Sequence, residues 1–251
     1  MAEEQLAGMM VAGRPLSAEI VTSLKQASAA TGVDFDFLVA QASVESGLRG
    51  SVHARQRHSS ASGLFQFTQQ TWLEMMRDHG AKYGYGELAR QIVHHPDGHL
   101  TVTDRASERR ILELRKDVRL SGIMAGELAK QNAEALQHAF HRKASPAELH
   151  LAHLLGATGA IRFLRARAAD AAQPAADVVP AAARQNPQLF FDRGDHTPHT
   201  VATVYGKIKA GIETPLKELA AASGATPKPD IADELRPGPG IIDALPKNTR
   251  A

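Results

Sequence analysis

From Pro15 to Ala168, apolar residues return at three- and four-residue spacing, broken by one polar, glycine-rich passage. That rhythm fits close-packed helices and little else. Aromatic residues are only 5% of the chain, so the core between the helices must be aliphatic and Ala-rich, which disfavours a large β-sandwich. The expected fold class is therefore all-α. Ile20, Leu24 and Ala27 mark a first helix behind Pro15 and Ser17. Asp34 stands where an N-cap belongs, ahead of an apolar stripe of Val33, Phe37, Ala40, Val44 and Leu48, with Gly47 and Gly50 as stops. Residues 49–63 lack apolar periodicity and read as an exposed loop or short hairpin. Thr68 then caps a helix with Trp72, Leu73 and Met76 on its inner face. Residues 77–104 read as irregular, Ser107 to Phe140 as strongly helical, and Pro146 opens a helix running to Leu155.

The character changes after Arg167. Residues 171–183 are almost all Ala, Pro, Asp and Val, as in a linker or frayed helix, and Val201 to Ile208 read as a last short helix. Leu189, Phe190, Phe191, Val201, Val204 and Tyr205 would be costly to expose, so this segment is expected to pack back on the domain. The reading divides the chain into a tail (1–14), a helical domain (15–168), a linker with a short helix (169–214) and a mobile Pro-rich end (215–251).

Several function classes are disfavoured. The net charge of +2 does not announce nucleic acid, and the mixed-charge run from Arg105 to Arg119 reads as a solvated helix face. With no Cys there is no disulfide, thiol nucleophile or Cys-ligated zinc. No stretch reaches the roughly 18 apolar residues of a membrane span, and no export signal is visible. His150 and His153, His138 and His141, and the cluster of His94, His95 and His99 form no convergent zinc pattern. They are expected at the surface, with no metal and no cofactor.

Glu45 stands out. It follows Leu38 by seven residues, close to the buried stripe, and falls in the last helical turn. The negative end of the helix dipole and partial burial both raise a carboxyl pKa there, as general-acid catalysis requires. From Ser46 to Leu73 there is no Asp or Glu, while Arg49, His53, Arg55, Arg57 and His58 are present. A lone acid, a polar cationic loop and an amide-bearing aromatic strip suit a groove for a neutral or anionic sugar polymer.

The pattern Glu45-Ser46-Gly47, then Ser62-Gly63-Leu64-Phe65-Gln66-Phe67-Thr68, then Thr71-Trp72, resembles the soluble lytic transglycosylases, peptidoglycan-cleaving enzymes of lysozyme-like helical fold. Residues 117–132 and 151–161 resemble that family's long helix and closing motif, so the likeness covers about residues 17–168. It implies a lysozyme-like domain with a polar loop at the active site, followed here by an Ala/Pro-rich extension. It also implies Glu45 as the acid/base, Ser46 as part of the catalytic signature, Ser59 or Ser60 against an N-acetyl group, and Gln66 and Phe67 along the groove. Leu154 and Leu155 occupy the places of the family's Tyr-Asn pair, which leaves His153 and Glu148 as substitutes to test. The implied partner is peptidoglycan, in the periplasm or cell envelope, with an envelope-spanning assembly as a further partner.

Ordinary glycosidases need two carboxylates about 5 to 9.5 Å apart, and the acid-free stretch removes the obvious second one. The resemblance implies that Glu45 alone protonates the glycosidic oxygen and then takes the C6 hydroxyl proton, leaving a 1,6-anhydro end. Two alternatives stay open: a catalytically inactive glycan-binding module, and a muramidase whose second carboxylate is elsewhere.

Overall fold

A computed structural model describes residues 6–49 and 60–223. Most of the polar passage, including Ser59, lies outside the described residues, as does the sequence after Ser223. The described chain is mostly helical. α1 (Ala18–Thr31) is capped by Ser17, whose hydroxyl accepts from the Ile20 N–H at 3.3 Å. α2 (Phe35–Ser46) is capped by Asp34, which accepts from the Phe37 N–H at 3.1 Å. α3 (Gln69–His79) begins after Thr68, which accepts from the Thr71 N–H at 3.2 Å. These three starts match the sequence reading, because each cap satisfies an N–H that the first turn leaves open.

The segment read as irregular holds a 3₁₀ turn, the short α4 (Gly86–Ala89) and a hairpin of two strands, Ile92–His94 and Leu100–Val102, with Val93 opposite Thr101. α5 (Arg105–Glu113) follows, then a 3₁₀ turn (Leu114–Lys116), α6 (Val118–Phe140) and α7 (Pro146–Ala169). α7 is two helical stretches meeting at Gly156, whose φ of 69° and ψ of 160° suit only glycine. Short helices α8 (Ala175–Val178), α9 (Pro180–Gln185) and α10 (Pro187–Phe190) lead to α11 (Val201–Ser223).

Four expectations are corrected. Residues 6–16 are no loose tail. Leu6, Val11 and Leu16 are buried, and the Leu16 N–H and C=O bond to Met9 and Gly8 around a two-residue hairpin. Val44, counted in the apolar stripe, is 40% exposed, because α2 is enclosed on nearly every other side. The supposed linker folds into α8 and α9 and buries Ala175, Val178, Val179 and Ala183. α11 does not stop at Ile208; it runs through Pro215, where the Gly211 carbonyl loses its helical N–H, and is held by buried Ile212 and Leu219.

The buried residues form two cores. The first gathers α1, α3, the 64–67 loop and the start of α6; the second gathers the end of α6, α7 and α8 to α11. α2 serves both, giving Leu38, Val39 and Ala42 to one and Phe37 and Ala40 to the other. Its last turn, with Glu45, therefore emerges where the two cores meet.

Candidate active site

Glu45 exposes only 13% of its side chain, and its Oε1 is buried with no hydrogen-bond partner. Water is thus withdrawn from a carboxyl that also sits at the negative end of α2, and burial pushes its pKa up to about 8. No neighbouring carboxylate among the described residues contributes to that shift. Two imidazoles on α7 face the buried oxygen: His153 Nε2 at 3.5 Å and His150 Nδ1 at 3.9 Å. Burial lowers both, His150 to about 3, with His153 adding to the effect, and His153 to about 4, against a hydrogen bond to the Phe65 carbonyl. Between about pH 4 and 8 the trio is uncharged. These contacts are not ion pairs.

α7 presents the two histidines on its first stretch, before the bend at Gly156. Its start is fixed by a capping box: Ser145 accepts from the Glu148 N–H, and Glu148 accepts from the Ser145 N–H at 2.8 Å. Phe67 meets the His153 ring edge-on at 6.1 Å and Trp72 at 5.3 Å, and the Trp72 Nε1–H donates to the Ile111 carbonyl at 2.7 Å. The His150 ring lies nearly parallel to that of His153, 6.4 Å away.

The Gly63 loop comes to this point because it is clamped. Ser62 N–H donates to the Phe67 carbonyl at 3.1 Å, closing a tight turn. Gly63 has φ of 79°, and a Cβ there would lie 1.9 Å from the Arg115 carbonyl oxygen. The Arg115 guanidinium holds the loop in turn, donating to the carbonyls of Ser60 at 2.5 Å and Phe67 at 3.3 Å.

Of the residues singled out in the sequence, the structure brings His153 to Glu45 and leaves others elsewhere. Ser46 is buried; its hydroxyl donates to the Ala42 carbonyl and accepts from the Arg49 N–H, closing the helix end. The Ser60 hydroxyl accepts from the Gln69 N–H at 3.1 Å. Gln66 is half-buried, and its amide donates to the Gly63 carbonyl at 2.8 Å. Phe67, expected along a groove, is 1% exposed and lies beneath the surface as a prop for His153. Glu148 is also buried, held by Arg142 at 2.5 and 2.8 Å as part of its cap.

Sequence reasoning missed two residues. His150 is 2% exposed rather than at the surface, and Arg115 is the clamp rather than part of a solvated face. The available signal was the three-residue step from His150 to His153 in the segment that resembles the closing motif.

Among the described residues no group of three His, Cys, Asp or Glu is placed to hold a metal ion. No described helix is long and apolar enough to cross a membrane. No protein-family model matches the chain.

Proposed function

We propose that this protein is a lytic transglycosylase of lysozyme-like fold that cleaves the MurNAc–GlcNAc bond of peptidoglycan and leaves a 1,6-anhydro end. The observation that carries the reading is a solitary, partly exposed carboxyl at Glu45 whose pKa of about 8 keeps its proton at neutral pH. General-acid catalysis asks for such a group. Glu45 gives its proton to the glycosidic oxygen as the C1–O bond breaks, while the substrate's own N-acetyl carbonyl stabilises the positive centre. The C6 oxygen then bonds to C1, and Glu45 takes back the hydroxyl proton. One carboxyl serves both steps and no water is consumed. That burial accounts for the shift, with no carboxylate contributing to it, supports this over a two-carboxylate muramidase. The site of action in this reading is the cell envelope, with peptidoglycan strands as the partner.

The test is digestion of purified peptidoglycan by the wild type and by Glu45→Gln, followed by mass spectrometry. The expected products of the wild type are anhydro-muropeptides, each one water lighter than the hydrolytic product. Glu45→Gln should lower the rate by at least about 100-fold. Reducing ends from the wild type would indicate a muramidase, and no release by either protein would indicate a binding module.

A further inference from the structure

Resting on the reading of Glu45 as acid and base, we propose that His153 is its positioning residue: Nε2 engages the buried Oε1 and so presents the carboxyl's other side to the substrate. Oε1 is sealed from solvent, so the exposed 13% of the Glu45 side chain lies on its other atoms. Of the two rings facing Oε1, His153 is the nearer, at 3.5 Å against 3.9 Å for His150.

The His153 ring has little freedom to turn away. It is 10% exposed in its side chain, meets Phe67 edge-on, lies nearly parallel to His150 and bonds to the Phe65 carbonyl. The loop clamped by Arg115 therefore reaches Glu45 through this ring. A contact of 3.5 Å is at the outer limit of a hydrogen bond, and contacts of catalytic groups commonly shorten when substrate binds.

The chemistry explains why an imidazole suits this place. Glu45 must be a neutral acid in one half of the reaction and an anion in the other. A lysine would favour the anion throughout, and a hydrocarbon would answer neither form. The neutral imidazole spends its one N–H on the Phe65 carbonyl and turns a lone pair toward Oε1, where it can accept the O–H of the protonated carboxyl. Such a partner favours the neutral acid over the anion. Removing His153 should therefore lower the Glu45 pKa and leave the acid's proton less firmly placed.

The experiment compares the full-length wild type, His153→Phe and His153→Gln. It reads kcat and KM for muropeptide release, thermal midpoints, and the ¹³C titration of the Glu45 carboxyl. His153→Phe should lose about three- to tenfold in kcat at unchanged KM, the worth of one hydrogen bond between neutral groups. Its Glu45 should titrate below about 8. His153→Gln, whose amide also donates and accepts, should recover most of both. If His153→Phe does not fold, His153→Asn replaces it, with an amide too short to reach Oε1. A raised KM at constant kcat overturns the proposal in favour of a sugar contact, and equal losses in both variants reduce His153 to packing. If the wild type releases no muropeptides, the transglycosylase reading falls. The titration then decides alone, and an unmoved Glu45 overturns the inference.

Discussion

Replacing Gly63 with Ala tests whether the loop is held by close backbone approach. The new Cβ would stand 1.9 Å from the Arg115 carbonyl oxygen and 2.8 Å from its carbon, both backbone atoms. Ordinary C···O separation is about 3.3 Å, so loop and 3₁₀ turn must part by about 1.4 Å. The positive φ of 79° adds a conformational cost of about 1–2 kcal/mol. Overpacking adds about 1–3 kcal/mol, and the parting also weakens the Arg115 bonds to Ser60 and Phe67. The expected total is about 2–5 kcal/mol before any loss from the Arg115 bonds. Gly84 provides the control: φ is 89°, but a Cβ there meets nothing within 4 Å, so Gly84→Ala should cost only the conformational part, about 1–2 kcal/mol. Urea unfolding followed by circular dichroism measures both, provided the slopes agree. If the two variants lie within about 0.5 kcal/mol of each other, the close approach is not what fixes the loop.

Two further outcomes concern stability. Native Glu45 holds its proton to about pH 8, whereas the unfolded carboxyl releases it near 4.5, so its contribution to stability falls as pH rises from about 4.5 to 8. Glu45→Gln should be the more stable protein at pH 8, by on the order of 4 kcal/mol, with the difference closing toward pH 4.5; a pH series of thermal midpoints checks this. The two imidazoles act oppositely in both proteins, since the unfolded chain takes up protons below about 6.5 while the native rings resist to about 3 and 4. Glu148 tests the distinction between cap and site. Burial alone would raise its pKa, but its bonds from Arg142 and Ser145 prevail and hold it below the usual range, so its stabilisation is present above about pH 4.5 and fades on acidification. Glu148→Ala should cost about 2 kcal/mol at neutral pH and leave KM unchanged; a raised KM at wild-type stability would restore it to the groove.

The sequence made the helix starts legible because Ser17, Asp34 and Thr68 act within one turn of themselves. Glu45 was legible for a related reason, since its place in the last turn of a buried helix is local. What surrounds it is not. His150 and His153 are polar, and surface exposure is the ordinary reading until α2 and α7 are known to meet. The second core was hidden by composition: Ala175 and Ala183 read as linker residues, yet small side chains let short helices approach closely. The last helix was read as ending at Ile208, yet it continues through Pro215, because burial of Ile212 and Leu219 outweighs one missing hydrogen bond. Arg115 was obscured because a charged run says nothing about which of its members turns inward.

That α2 belongs to both cores has a consequence for how variation in this chain is read. α11 lies against α2 and α7 and buries Val204 and Ile212 in the second core, so the helices that carry Glu45 and its two imidazoles share that support. The setting of Glu45 is thus braced by residues more than half the chain away. A truncation at residue 168 would keep Glu45, His150 and His153 while removing the α11 wall against which their two helices pack.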